Sequence, residues 1–211
     1  MSDPIIVPTR RHVVLAGAAM VALSGCGSLL GPSGPPLQLY RLRPTFPAAG
    51  GPSVSWQLAV ARPSAPQSLD SERIALMRGA MMDYYADAQW NDSAPRLVQS
   101  LLVEAFEKSG RILAVAAESG GVHGDYTLES EIRDFDAQYA SDNGAPTIVV
   151  EIEARLLGSQ GKVVASLNAR QTEPASANSV PSVVAAFDQA TAATLAQIVA
   201  WTLSAPKPAS S

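Results

Sequence analysis

The residue types that hydrolases and nucleotide-binding proteins use are present in this sequence, but not at the required spacing. His123 lies two residues before Asp125 in a glycine-rich stretch, yet no Gly-x-Ser-x-Gly elbow supplies the serine that a Ser-His-Asp triad needs. Residues 158–162, Gly-Ser-Gln-Gly-Lys, lack the spacing and the following Ser or Thr of a phosphate-binding loop. We therefore expect neither a catalytic triad nor a nucleotide site, and no cofactor.

Paired carboxylates are the other candidates for acid–base chemistry. Glu129 and Glu131, like Glu151 and Glu153, are spaced two residues apart on predicted strands, so the members of each pair share one face of a sheet. Glycosidases use two carboxyl groups as acid and base or as acid and nucleophile. On the wet face of a sheet, however, this spacing is ordinarily solvated charge. The pattern favours a protein that is not an enzyme and binds no metal.

Cys26, the single cysteine of the chain, is the residue best placed for covalent chemistry. It follows a basic segment containing Arg10 and Arg11 and an apolar run at residues 13–23. As a helix this run spans ~16 Å, too short for the ~30 Å core of a bilayer. A basic start, a short apolar middle and a small-residue end are typical of an export signal. The alternative is a buried N-terminal helix.

The four residues Leu23, Ser24, Gly25 and Cys26 resemble the lipobox of bacterial lipoproteins. That resemblance implies that the Cys26 thiol receives a diacylglyceryl group, that the leader is cleaved before Cys26, and that the new amino terminus is acylated, with palmitate as a typical chain. The residue after Cys26 is Gly27 rather than aspartate, which implies an outer-membrane lipoprotein facing the periplasm. The alternative is an incidental cysteine after a conventional signal.

Composition limits the partners of the processed chain. Hydrophobic residues make up 47% of the sequence and charged residues 16%, so a folded core is expected. The net charge of −4 becomes −5 when Arg10, Arg11 and Asp3 are removed with the leader. An acidic chain is not suited to nucleic acid or to anionic lipid headgroups. Acyl chains at Cys26 would therefore have to hold the protein at the membrane.

The chain divides into four predicted segments. Residues 1–25 are a lipoprotein signal peptide, 26–36 a lipidated tether rich in Gly, Ser and Pro, 37–204 one folded domain, and 205–211 a flexible tail. Alternating or apolar runs predict strands at residues 37–43, 53–62, 72–77, 80–86, 112–116, 126–135, 147–157 and 162–171.

Two long helices complete the predicted domain. The first opens at Asp92-Ser93-Ala94-Pro95, with a capping residue and a proline in the first turn, and Gly110 ends it. The second occupies residues 182–203, with an apolar stripe of Val184, Phe187, Thr191, Leu195, Ile198 and Thr202. The alternation in strand 147–157 is typical of an antiparallel sheet with one packed and one wet face. The expected fold class is α/β (α+β): a single domain with a mixed, largely antiparallel sheet packed by two long helices.

Several short elements, taken in order, resemble the auxiliary lipoproteins of ABC-type transport systems. They are Tyr40-Arg41-Leu42, Leu69-Asp70 before Arg73-Ile74, Tyr84-Tyr85, Trp90, Pro95, Leu101, Phe187-Asp188-Gln189 and Trp201-Thr202-Leu203. The resemblance implies a non-enzymatic accessory lipoprotein that tethers or caps a lipid-transfer conduit at the outer membrane. Its implied partners are a mammalian-cell-entry-type periplasmic subunit with its ABC permease and ATPase, and further copies of the chain itself as a homo-oligomer.

Tyr84, Tyr85 and Trp90 are the candidate contact residues for a partner or lipid; the alternative is an aromatic corner of the core. Met81 and Met82 depart from the pattern, because β-branched residues are expected in this strand. A second function class also fits the sequence, namely a structural or regulatory envelope lipoprotein that activates a cell-wall enzyme. A periplasmic hydrolase using His123 ranks third.

Overall fold

Three long strands form the centre of the domain because their sequences alternate between apolar and polar residues. A computed structural model describes residues 36–46, 50–118, 124–141 and 143–206. The central antiparallel ribbon consists of β6 (Tyr126–Tyr139), β7 (Thr147–Leu157) and β8 (Val163–Pro174). In β7 the predicted inward set is buried: Ile148, Val150, Ile152, Ala154 and Leu156. A 3-10 turn at Ser159–Gly161 joins β7 to β8.

A β-bulge allows β6 to direct side chains into the core along its whole length. The pairing between β6 and β7 shifts between Ile132 and Asp134. Ile132 and Phe135 are both buried although they are three residues apart, a spacing that would place them on opposite faces of a regular strand. The bulge therefore allows one strand to supply inward side chains on both sides of the irregularity.

The free edge of β6 is shared by two other strands. Its first residues pair in parallel with β2 (Gln57–Val60), and its last residues pair in parallel with β3 (Arg73–Arg78). The strand β5 (Ala114–Ala117) extends the first branch, and the second is extended by β4 (Met81–Trp90) and β1 (Gln38–Tyr40).

Within the described residues, these eight strands make one mixed sheet. Most of its residue pairs are antiparallel because the three longest strands pair in that way. The chain divides into a unit up to Pro36 and a compact unit from Leu37, to which nearly all of the described residues belong.

The two predicted helices are present: α1 (Ala94–Ser109) and α2 (Val180–Thr202). Gly110 ends α1 in a left-handed conformation with φ of 62° and donates its N–H to the Glu107 carbonyl. Every residue of the predicted stripe on α2 is buried, and this helix packs on β7 and β8 while α1 packs on β2 and β5. The predicted fold class, a mixed α+β domain with two helices, is confirmed.

In the part of the chain that the structure describes, α2 is the one helix long and apolar enough to cross a membrane by length and composition. More than half of its most apolar stretch is buried within the domain. Packing against the sheet is thus sufficient to account for its apolar sequence.

Several predicted strand boundaries were wrong at the edges of the sheet. The strand β1 has three residues rather than seven, because the chain after Tyr40 leaves the sheet and the Arg43 N–H bonds to Asp188 on α2 instead. The predicted strand 53–62 is ordered as a strand only at Gln57–Val60. The predicted strand at residues 112–116 corresponds to the short strand β5. It is exposed or half-buried because, among the described strands, it pairs only with β2 at the edge of the sheet.

Candidate docking surface

Trp90 belongs to the core and not to a contact surface. Only 1% of its surface is exposed. Its ring lies edge-on to Phe187, with centroids 5.1 Å apart, and tilted against Phe135 at 6.0 Å. The contact role proposed for Trp90 is therefore corrected, since no partner reaches a side chain enclosed by two other aromatic rings. It joins the end of β4 to β6 and α2.

Tyr85 links three elements through a chain of hydrogen bonds. Its hydroxyl donates to the Tyr139 hydroxyl at 2.8 Å, and Tyr139 donates to Asn178 Oδ1 at 2.8 Å. Burial, followed by the bond to Tyr139, raises the pKa of Tyr85 well above its usual value. The phenol thus stays neutral and structural, connecting β4 and β6 to Asn178, two residues before the start of α2.

Tyr84 makes contacts that differ from those of Tyr85. Its hydroxyl donates to the Ser68 carbonyl at 3.1 Å, and the Arg73 guanidinium lies 3.5 Å from the centre of its ring. Successive residues of a strand point to opposite faces. The structure therefore does not bring Tyr84, Tyr85 and Trp90 together into one site. The two tyrosines remain half-buried at the base of the β3–β4 hairpin.

The tip of that hairpin carries an exposed apolar surface. Gly79 takes a φ of 60° in the turn, and the next strand begins with Met81 and Met82, which are 58% and 36% exposed. Beside the tip is a concavity of about 360 Å³ whose lining includes Met77 and Tyr139. Flexible methionine side chains suit adaptable contact surfaces. We call Met77, Met81 and Met82, with the turn between them, the methionine tip.

The sequence did not predict that the methionine tip is an exposed surface, but it contains one indication of it. Two consecutive methionines stand where β-branched residues were expected, and the structure explains them. The strand predicted at residues 80–86 is present, although it runs from Met81 to Trp90. Its first end lies outside the core. A packing requirement for β-branched residues therefore does not apply there.

The opposite face of the central strands is charged and internally paired. Arg133 forms ion pairs with Glu131 and Glu153, and Arg170 pairs with Glu151 at 2.8 Å. These carboxylates are engaged by arginine on an exposed sheet face, as the solvated-charge interpretation predicts. They do not form an acid–base pair around a cavity. Among the described residues, no group of His, Cys, Asp and Glu could hold a metal ion.

Asp136 is the exception on this face. It is 2% exposed, and its Oδ1 accepts no hydrogen bond from any described residue. Burial raises its pKa to about 6, and the neighbouring Asp134 adds to the effect, while Gln138 and Arg170 act against it. A buried carboxyl with an unsatisfied oxygen is costly in its charged form.

The residues of the predicted anchor lie outside the described part of the chain. The anchor residues are Leu23, Ser24, Gly25 and Cys26. His123, the candidate histidine of a hydrolase, also lies outside the described residues. Their roles remain predictions from the sequence.

The fold and surface define a class of protein: a small α+β domain with a buried aromatic core and an exposed apolar hairpin. Comparison with known families is more specific. The family model described as the ABC-type transport auxiliary lipoprotein component matches residues 40–199 of this chain. The chain therefore belongs to the ABC-type transport auxiliary lipoprotein family, as its sequence elements indicated.

One curated protein is similar in sequence over most of this chain. Protein bll6063 of Bradyrhizobium diazoefficiens is 31% identical over 183 residues, which cover 86% of this chain but 49% of that protein. The chain thus spans about half the length of this curated relative.

Two crystal structures share the fold. Protein XCC0632 from Xanthomonas campestris has a TM-score of 0.74 and 34% identity, over 79% of this chain and 94% of that one. A second, described as an uncharacterized protein, has a TM-score of 0.63 and 17% identity, over 80% and 99% of the two chains.

Proposed function

We propose that this protein is a non-enzymatic accessory subunit of a mammalian-cell-entry-type lipid transport system. It is held at the outer membrane by acyl chains on Cys26, and its folded domain docks onto the periplasmic subunit that serves an ABC permease and ATPase. The observation that carries the proposal is the family match over residues 40–199. The anchor and the docking surface are supported by separate features.

The proposed anchor rests on the lipobox-like residues before Cys26. Each buried methylene of an acyl chain contributes ~0.8 kcal/mol, so several chains give lasting attachment where a single chain is marginal. The eleven peptide units from Cys26 to Leu37 extend at most ~36 Å at ~3.3 Å each. The domain would consequently work within a few tens of ångströms of the membrane surface, facing the periplasm.

The methionine tip is the proposed docking surface. Met81 and Met82 are exposed on it, and it is presented on a hairpin that is fixed by the hydroxyl contacts of Tyr84 and Tyr85. Burial of such a surface at an interface provides binding free energy at ~25 cal/mol per Å². Methionine is also enriched in interfaces relative to the rest of protein surfaces.

The absence of catalysis is part of the proposal and is supported by the engagement of the candidate carboxylates. Glu131, Glu151 and Glu153 are bound to arginines on the sheet face. ATP hydrolysis would be performed by the partner ATPase.

The test combines fractionation with crosslinking. A Cys26→Ser variant should fold normally but move from the membrane to the soluble fraction. In cells, mild crosslinking of the native lipoprotein should recover the mammalian-cell-entry-type subunit, and a Met81→Glu, Met82→Glu variant should lose most of that product. The matched control is Val163→Glu, Val164→Glu, which changes two exposed apolar residues on β8.

Three results would contradict the proposal. The first is retention of the Cys26→Ser variant in membranes after leader cleavage, and the second is equal loss of crosslinking in both glutamate variants. The third is recovery of cell-wall synthases without any transporter subunit, which would favour the alternative of an envelope lipoprotein that activates a cell-wall enzyme.

A further inference from the structure

A groove of about 510 Å³ lies between α1 and segment 41–44. We call it the α1 groove. Its floor contains Leu42, Leu97 and Leu101, and its rims carry charged side chains. None of the residues of the methionine tip lines it. The proposed function leaves this groove without a role.

A contact between distant parts of the chain builds one wall of the groove. The backbone N–H of Arg43 donates to Asp188 Oδ1 on α2 at 2.6 Å, across 145 positions of sequence. Leu42 and Pro44 on either side of Arg43 are buried. Segment 41–44 is thereby held against α2. The elements Tyr40-Arg41-Leu42 and Phe187-Asp188-Gln189, which carry part of the family resemblance, meet here.

The rims of the groove are positive although the chain as a whole has a net charge of −4. Arg41, Arg43, Arg96 and Lys108 line it, opposed by two carboxylates, Asp92 and Glu104. Lys108 and Glu104 pair with each other at 2.6 Å. The guanidinium groups of Arg41 and Arg96 form no ion pair with any described residue. The groove therefore offers cations that are available to an anionic ligand.

The shape of the groove favours an extended chain. The polar positions of α1 along it are four residues apart and form one row: Arg96, Ser100, Glu104 and Lys108. This row is ~18 Å long at ~1.5 Å per residue, which matches five or six residues of extended peptide at ~3.3 Å each.

The floor of the groove argues against a lipid. Leu42, Leu97 and Leu101 expose only 3%, 8% and 7% of their surfaces. An acyl chain needs a continuous apolar lining to remove it from water, and these three residues present very little. Carboxylates, in contrast, match the arginine rims directly.

We propose that the α1 groove binds an extended, acidic segment of a protein partner. Arg41 and Arg96 contact its carboxylates, and Asp188 is a positioning residue that holds the wall carrying Arg41. This is a second docking site, separate from the methionine tip. It does not depend on which membrane carries the acyl anchor or on the identity of the transported lipid.

The test measures binding of a defined peptide to the full-length lipoprotein in detergent. The probe is fluorescein-labelled acetyl-ELELEL-amide, and its counterpart with glutamine in place of glutamate is the neutral control. By fluorescence anisotropy at low salt, the acidic peptide should bind on the order of tenfold more tightly than the neutral one. This advantage should shrink at high salt, because salt screens exposed charges.

Matched variants locate the site. Arg41→Glu with Arg96→Glu should remove the preference for the acidic peptide, whereas Arg155→Glu with Lys162→Glu makes the same change in net charge elsewhere and should retain it. Asp188→Ala should weaken binding, while Asp188→Asn, which loses the same charge but keeps an acceptor for the Arg43 N–H, should bind like the native protein. Far-ultraviolet circular dichroism checks that each variant is folded.

Four outcomes would overturn the proposal. The first is equal binding of the acidic and neutral peptides, and the second is an equal loss of the acidic preference in the two double variants. The third is equal peptide binding by Asp188→Ala and Asp188→Asn. The fourth is binding of phosphatidylglycerol vesicles through Arg41 and Arg96 without any binding of the peptide. The last result would assign the groove to lipid headgroups. Because the assay contains no transporter subunit, its outcome is independent of the crosslinking test above.

Discussion

Replacement of Asp136 by asparagine should change how the stability of the domain depends on pH. The carboxyl is buried, its Oδ1 accepts no hydrogen bond from the described residues, and its pKa is raised from 3.8 to about 6, first by burial and then by Asp134. Asparagine has nearly the same shape and cannot ionise. Comparison of the two proteins therefore isolates the cost of charging this one group.

The sign follows from proton binding in the two states. Between pH ~4 and ~6 the folded protein keeps the Asp136 proton that the unfolded chain has lost, so the native protein loses stability as the pH rises through this window. A pKa difference of about two units corresponds to a loss of at most ~3 kcal/mol in the free energy of unfolding. Because the structure relaxes around the carboxylate, we expect a loss of ~1–3 kcal/mol. In Asp136→Asn this loss should be absent.

Urea unfolding at pH 4 and pH 7.5 measures the effect. The free energy of unfolding of Asp136→Asn, relative to the native protein, should rise by ~1–3 kcal/mol between the two pH values, with unchanged dependence on urea. Asp87→Asn is the control, since it removes an exposed aspartate from β4. A relative stability of Asp136→Asn that is the same at both pH values would refute the reasoning, whatever its absolute stability.

Two further variants test packing and backbone conformation. Phe187→Ala should cost ~3–5 kcal/mol in urea unfolding, because a fully buried ring in contact with Trp90 and Phe135 leaves a cavity; a cost below ~1 kcal/mol would contradict the aromatic core. Gly110→Ala should cost ~1–2 kcal/mol through its φ of 62° alone, since an added Cβ meets no atom within 4 Å. Gly110→Asn should cost less in the same measurement, and equal costs would argue against a left-handed cap.

Several features of the fold could be predicted because they depend on nearby residues. The inward set of β7 and the stripe of α2 from Val184 to Thr202 follow from periods of two and 3.6 residues, and all of these side chains are buried. The ends of α1 at Ser93 and Gly110 follow from local backbone preferences. Burial of one apolar face per element then suffices to predict a sheet packed by two helices.

The candidate surfaces could not be predicted in the same way. Tyr84, Tyr85 and Trp90 form an aromatic cluster in sequence, but their exposure depends on which strands pair with β4 and where the bulges lie. Trp90 became a core residue because Phe135 and Phe187 come from β6 and α2. The same pairings leave Met81 and Met82 at an exposed tip.

By itself, the sequence predicted most of the strands, both helices, a lipobox-like motif ending at Cys26 and the resemblance to a family, since each depends on residues adjacent in the chain or at a fixed short period. Only the tertiary structure decided the partners of β6, the burial of Trp90 and the existence of the α1 groove. The groove requires Arg43 and Asp188, 145 positions apart, to share one hydrogen bond. No local pattern specifies such a contact, because it forms only when the helices and the sheet pack together.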